Sequence, residues 1–506
     1  MSLGAVFIYI CISVRPLHSY QGALVKNFLQ VSRNEFLNDL YTVVRPAEPI
    51  DTNEFLFGRS DQVDTLETAL HAPGRHAFIY GDRGVGKSSL AHTVAFNMQE
   101  ENDPIFVSCV PESTLAGIIA DAFRDAVEQI DASRSEWSAS ASIGISATWV
   151  KIENKTHKQQ QEKVEINDVS SAVYALGLLT KIHSKAPYIV IDEFDRIISL
   201  EEKEKFGTLL KQLGDKKSPV KIIFTGIGDS LNELLGGHAS SSRQIQELNL
   251  EPLSWSGRYA IIDRAFKEFD LSVPDDIRFR IAGLSDGYPH YVHLICEKML
   301  IKAYQNNTDE INFHLFLDGL KDAVSSVAEF LKKDYNLATA GRSPDVAYLL
   351  WAVADSADMQ RKKSDIFISY SDVIDQLVWK KLITNAPPDE KKFGRILSLL
   401  GKADYGEIVV SAFGNKRRGF YKFKESMVRG YVKMHAEMRT IKLDFEKNFT
   451  SNEPTVKAKL STRGRKTFSQ IEKEIEQEEE KRTLQSEHDN ELLKTLSSEY
   501  ATRSKY

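Results

Sequence analysis

The run GDRGVGKS, Gly81 to Ser88, constrains this chain more than any other stretch of its length. It meets the pattern GxxxxGK[ST] at every fixed position, between an apolar run HAFIY (76–80) that reads as a buried strand and SSLAHTVAFNM (88–98) that reads as a helix. Glycines at a strand-to-helix turn leave backbone N–H groups facing one point, and the helix N-terminus adds its positive end, so the turn suits a phosphate. Gly81, Gly84 and Gly86 permit the tight loop, with Asp82, Arg83, Val85 and Ser89 completing the cradle. In that reading Lys87 reaches the β- and γ-phosphates and Ser88 offers its hydroxyl to Mg²⁺.

A glycine turn with a chance lysine would need no partners downstream, and this one has them. YIVI (188–191) is a second buried-strand candidate, followed at once by Asp192 and Glu193. An acid at the carboxyl end of such a strand is placed to hold a Mg²⁺ shell, and its neighbour to polarise an attacking water. Taken alone the two acids also read as the cap of the next helix. KIIFTG (221–226) is a third buried run ending in Thr225, which would sense the γ-phosphate from a strand between those of the loop and the acids. Strand propensity by itself also accounts for a threonine there. Arg243, after three serines and before IQELNLEPL, has the planar, always-charged head that suits a neighbouring subunit's phosphate. An ordinary surface arginine fits that place equally.

Length and composition bound the rest. At 506 residues the chain has room for about three domains, and 42% apolar content supplies ordinary cores. Cys11, Cys109 and Cys296 are too far apart for a CxxC or zinc cluster, which fits a reducing cytoplasm. The net charge of -6 argues against a generally basic nucleic-acid protein. The apolar stretch from Leu3 to Val14 is short for a membrane span and lacks a basic run before it, leaving a buried strand or text upstream of the true start.

Along the chain, residues 1–52 form an N-terminal segment and 53–252 an alternating β and α core. That core is interrupted at 131–166 by an expected β-hairpin, either a surface elaboration or a partner-binding element. Residues 253–335 read as a helical lid, in which Pro289 of GYP (287–289) starts a helix and the loop faces the nucleotide base. His290 and His293 stand at i and i+3, and with no third ligand in view they read as a core or surface pair.

From 342 to 442, helices near 345–355, 370–382 and 389–400 precede two alternating runs, the pattern of a winged helix. Between Lys391 and Lys442 thirteen Lys/Arg stand against four acids, and Lys416, Arg417 and Arg418 at the hairpin tip are placed to neutralise duplex DNA phosphates. A winged helix used for protein contacts is the competing reading. The tail, 451–506, is charged and helical or disordered rather than packed.

With GDRGVGKS, YIVIDEFD, IIFTG, SSSR and the winged-helix pattern in this order, residues 55 to 440 resemble AAA+ ATPases, particularly the origin-recognition type of replication initiator and its bacterial relatives. The resemblance implies an α/β fold: a P-loop three-layer parallel sheet of five strands, a helical lid and a C-terminal winged-helix domain. It implies ATP and Mg²⁺ as cofactors, Thr225 as first sensor and Arg243 as the trans-acting arginine. Two departures stand out. SDGYPHY (285–291) lacks the lid arginine usual in initiators, and its Gly-x-Pro text instead resembles STAND signalling ATPases, where the proline contacts adenine. The expected function is therefore a slow ATP-hydrolysing switch coupling nucleotide state to homo-oligomer or partner assembly and to DNA binding, without a membrane. The alternative is a STAND-like signalling or antiphage-defence ATPase acting on a protein effector.

Overall fold

The computed structural model describes residues 28–46, 56–129, 137–143, 148–154, 161–228, 242–384, 388–413 and 419–447. The expectations for the first two dozen residues, the tail and the hairpin tip with Lys416, Arg417 and Arg418 lie outside the described residues. Among the described residues no helix is long and apolar enough to cross a membrane.

Four short runs of mainly apolar, β-branched and aromatic residues and the alternating edge run IQELN form the central strands. They are β1 (His76–Tyr80), β2 (Ile105–Ser108), β6 (Tyr188–Asp192), β7 (Lys221–Gly226) and β8 (Ile245–Asn249). Between β2 and β6 lie β3 (Trp137–Ile143), β4 (Thr148–Asn154) and β5 (Gln161–Ile166). The central sheet is wholly parallel, in the order β2-β6-β7-β1-β8.

Near-continuous apolar runs in a parallel sheet imply burial on both faces, and side chains alternate between them accordingly. Ala77, Ile79, Val190 and Ile223 pack on one face with Leu66, Leu70, Leu90 and Val94, from helices Ser60–His71 and Lys87–Met98. Phe78, Ile189, Ile191, Ile222 and Phe224 pack on the other. There they meet helices Leu115–Gln129, Val169–Ile182 and Leu200–Asp215 through Phe123, Leu176 and Phe206. The result is an α/β architecture with helices on both sides of five parallel strands.

Strand order fixes the functional edge. Because β7 lies between β1 and β6, with Ile79 opposite Thr225 and Ile191 opposite Phe224, the carboxyl ends of three strands meet where the loop after β1 begins. The Glu193 turn is anchored beneath by Phe194, whose ring meets Phe206 and Phe224 edge-on at centroid distances of 5.1 Å each.

The insertion differs from the expected hairpin. The polar run at 161–166 pairs with β4, so β3-β4-β5 is a three-stranded antiparallel sheet. Its alternating Gln-Glu-Lys-Val-Glu-Ile text carries the period of a strand, which its polarity hides.

Residues 255–339 form five helices joined by short turns, Trp255–Lys267, Asp275–Leu284, Pro289–Gln305, Phe313–Ser326 and Glu329–Thr339. Helix Arg33–Val43 packs on this segment: Phe36 stacks on Tyr304 at 4.3 Å and the Tyr41 hydroxyl donates to Glu297 at 3.0 Å. The C-terminal segment has helices Asp345–Ala354, Lys363–Trp379 and Glu390–Leu400, then a hairpin of β10 (Val409–Ser411) and β11 (Phe420–Phe423). The second of these helices begins seven residues before the expected 370, because Ile366, Tyr370, Val373, Ile374 and Leu377 already form one buried stripe. A short third strand, β9 (Arg361–Lys362), joins β11. A further helix, Ser426–Met438, follows the hairpin and packs back on helices of the middle segment.

Phe194→Ala is expected to destabilise the fold by about 3–5 kcal/mol, through the cavity left under the Glu193 turn. Denaturant unfolding of the two proteins would measure it.

Candidate functional site

A cavity of about 460 Å³ opens at the carboxyl edge of the sheet. It is lined by Arg83, Gly84, Gly86, Lys87, Ser88 and Ser89 from the loop and helix after β1, by Asp192 and Glu193 at the end of β6, by Thr225 of β7 and by Pro289. Gly81, Asp82 and Val85 of the same loop are not part of this lining, and Arg243 lies outside it, exposed in the turn before β8. The structure thus gathers residues from four separated stretches and leaves Arg243 apart.

Gly86 carries the chain into helix Lys87–Met98 with φ 97, a left-handed conformation that glycine adopts without strain. Lys87 is buried, and its ammonium donates to the carbonyls of Gly81 at 3.2 Å and Asp82 at 2.7 Å. Burial pulls its pKa below the ordinary lysine value, against the opposing pull of Asp195 and Asp192. It therefore sits as a desolvated cation held by weak neutral acceptors, which an anion in the cavity would outcompete.

Asp192 is the hub of the edge. One carboxylate oxygen accepts from the Ser88 hydroxyl at 3.0 Å, from the Glu193 backbone N–H at 3.0 Å and from the Thr225 hydroxyl. The helix after β1 and the ends of β6 and β7 are thereby tied through a single atom. Glu193 occupies left-handed backbone at φ 55, and its carboxylate pairs with Arg196 at 2.6 Å, both side chains half exposed. Asp195, also on the cavity wall, accepts from the Ile227 N–H at 2.8 Å.

Beside this cavity is a narrow cleft of about 30 Å³, walled by Leu56, Phe57, Val85, Leu253 and Ile261. Arg59 lines it but is committed elsewhere, donating to the carbonyls of Val85 at 3.0 Å and Glu251 at 2.6 Å. Gly86, Ser89, Pro289 and His293 border both spaces. Pro289 is the first residue of its helix, where a missing N–H costs nothing. Of the expected core or surface pair, His293 is buried and His290 half-buried, and both line the cavity. Among the described residues no cluster of three His, Cys, Asp or Glu could hold a metal.

The sequence reading missed how the C-terminal helix meets this site. Gly84, at φ 78, lies so close to Met427 that a Cβ there would collide with the thioether. Tyr291 donates its hydroxyl to the Met427 carbonyl at 2.9 Å. Two and six residues further on, Arg429 and Lys433 grip Asp286, the residue that precedes GYP. Arg429 donates to both carboxylate oxygens at 2.6 Å and Lys433 to one at 2.6 Å. All three side chains are buried.

Burial alone would raise the Asp286 carboxyl, but the two cations and their hydrogen bonds overcome it and hold it well below the usual carboxylate range. Lys433 is pushed down to about 8 by burial and by Arg429, against the opposing pull of Asp286. The basic surplus of the C-terminal segment is accordingly smaller at the surface than the residue count suggests. Arg429 and Lys433 are internal, while Lys392 pairs with Asp345 at 2.8 Å and Lys424 with Glu407 at 2.6 Å.

Residues 56–223 match the family model described as an AAA ATPase domain. No curated protein matches the chain in sequence. Among solved structures the chain is similar to the Walker-type ATPase PABY2304 of Pyrococcus abyssi, at 17% identity over 76% of this chain and 98% of that one, with a TM-score of 0.44. It is also similar to the Aeropyrum pernix Orc1 protein in complex with DNA, at 15% identity over 76% and 94%, with a TM-score of 0.38. A third is the Thermotoga maritima RuvB Holliday junction branch migration motor, at 16% identity over 68% and 97%, with a TM-score of 0.36.

Asp286→Asn strands two buried cations and is expected to cost about 3–5 kcal/mol near neutral pH. Because the folded carboxyl titrates below its unfolded value, this advantage of the wild type is full above about pH 4 and contracts as pH falls below it. Denaturant midpoints of the two proteins across pH 3–7 would show the contraction. Gly84→Ala is expected to cost less in a Met427→Ala background than alone, by about 0.5–3 kcal/mol, in a double-mutant cycle on unfolding.

Proposed function

We propose that the chain binds and slowly hydrolyses ATP as a molecular switch, and that its C-terminal segment reads the state of the nucleotide site by touching it. The observation that carries this reading is contiguity. One helix, Ser426–Met438, places Met427 on Gly84 of the phosphate loop and Arg429 and Lys433 on Asp286, three residues before Pro289. A loop that tightens around phosphates and a helix entrance that shifts around a base would both be felt by that helix.

In this reading Lys87 leaves its own loop carbonyls for the β- and γ-phosphates, and the backbone from Gly81 to Ser89 cradles them. The Ser88 hydroxyl and Asp192 carboxylate, 3.0 Å apart, are the hard oxygen donors that would hold Mg²⁺, which supplies neutralisation of phosphate charge. Glu193 orients the attacking water once its carboxylate leaves Arg196, and Thr225 positions Asp192 and Glu193 through its hydroxyl. Pro289 packs against the adenine. Arg243, exposed and outside the cavity, acts only on the nucleotide of a neighbouring subunit, which makes turnover dependent on assembly. Residues 255–339 are then the lid, and the three helices and small sheet from 345 to 423 a winged helix.

Duplex DNA is a second output that one observation favours. Lys391 and Arg395 are exposed one turn apart on helix Glu390–Leu400, on a face available to phosphates. The competing output is a protein effector, as in STAND-like signalling, and the internal use of Arg429 and Lys433 supports it.

Lys87→Ala is expected to abolish ATP binding, and Glu193→Gln to retain binding while lowering turnover by about 100-fold or more. Isothermal titration and phosphate release would measure the two. Wild-type behaviour of Lys87→Ala would overturn the proposal. Duplex affinity that falls steeply with salt and with charge reversal at Lys391 and Arg395 would assign the output to DNA.

A further inference from the structure

His293 is buried to 2% exposure, and neither of its ring nitrogens has a hydrogen-bond partner among the described residues. A buried polar group without a partner is costly and calls for an explanation. Its position offers one. His293 lies four residues after Pro289 on the same helix, so both side chains present to one side, and both border the junction of the 460 Å³ cavity and the apolar cleft. The phosphate end of that junction is Gly86 and Ser89, and the far end is apolar: Leu56, Phe57, Val85, Leu253 and Ile261. Apolar walls with a few polar groups, here Arg59, Ser89 and His293, are the composition of a site for a flat heteroaromatic ring.

We propose that His293 hydrogen-bonds the purine base of the bound nucleotide and is a determinant of its affinity. The inference rests on the nucleotide reading of the cavity above. Arg59, the other long polar side chain at the cleft, is occupied by the Val85 and Glu251 carbonyls, which leaves His293 to read the base edge. Burial, with a smaller push from His290, lowers the imidazole to about 4, so the ring is neutral and holds one donor and one acceptor. A neutral ring meets either a ring nitrogen or an exocyclic amine of adenine, depending on its tautomer. At 30 Å³ the cleft is itself too small for a purine, so the base lies across its mouth, against the four shared residues.

The test compares ligands that share phosphates and differ at the nucleoside. ATP, 2′-deoxyATP and inorganic triphosphate are titrated, with Mg²⁺ present, into wild type, His293→Leu and His293→Asn, after thermal unfolding confirms that each is folded. The expected result is an ATP affinity about tenfold or more weaker in His293→Leu, the worth of one buried hydrogen bond, with partial recovery in His293→Asn. The same loss is expected for 2′-deoxyATP, and triphosphate binding stays within about twofold of wild type. Unchanged ATP affinity, or equal losses for ATP and triphosphate, would overturn the proposal by making His293 a packing residue. A loss seen with ATP and absent with 2′-deoxyATP would overturn it in favour of the ribose. Wild type that binds none of the three would overturn the nucleotide reading itself, and the role of His293 with it.

Discussion

The Asp286 carboxylate, buried between Arg429 and Lys433, decides where the C-terminal helix lies against the rest of the protein. Desolvating three charges is expensive, and a buried ion cluster is weak evidence of net stability. What it enforces is registry. Only one placement of helix Ser426–Met438 gives the Asp286 oxygens their cations, and any slide leaves a charge stranded in an apolar surrounding. In that one placement Met427 rests on Gly84 and Gly430 faces the ring of Tyr291. The site edge and the C-terminal segment are thus joined by a geometry that is either made or lost, the kind of element a bound ligand can bias.

A second hub lies at the end of β6. The Asp192 oxygen that accepts from Ser88, Thr225 and the Glu193 N–H holds three chain segments at a common point. The sheet order makes this possible, because β7 brings Thr225 between the strands that carry the loop and the acids. Behind it, Phe78, Phe194, Phe206 and Phe224 form an aromatic block that fixes the turn. Polar positioning at the edge therefore depends on apolar packing one layer below.

Much of this was legible in local text. The loop from Gly81 to Ser88, the acids at 192 and 193 and the threonine at 225 are each announced by a short apolar run that can only be a buried strand. Other features were not. The strand Gln161–Ile166 was masked by its polarity, since an alternating polar strand and a solvated loop share a composition. Arg429 and Lys433 counted toward a basic surface because a sequence charge total cannot distinguish an exposed cation from one buried against a carboxylate 143 or 147 residues away. His293 carried a faint signal, its four-residue distance from Pro289, that gained meaning only when Pro289 faced the cavity.

The sequence by itself determined the α/β core and the edge that carries the glycine loop, because strand burial, the glycine turn and the residues at strand ends are all set by neighbours within a few positions. Tertiary structure alone decided what that edge is connected to. Asp286 with Arg429 and Lys433, Gly84 with Met427, and the empty hydrogen-bonding capacity of His293 depend on contacts between segments far apart in the chain. Their energies come from desolvation and close packing, which no local pattern records.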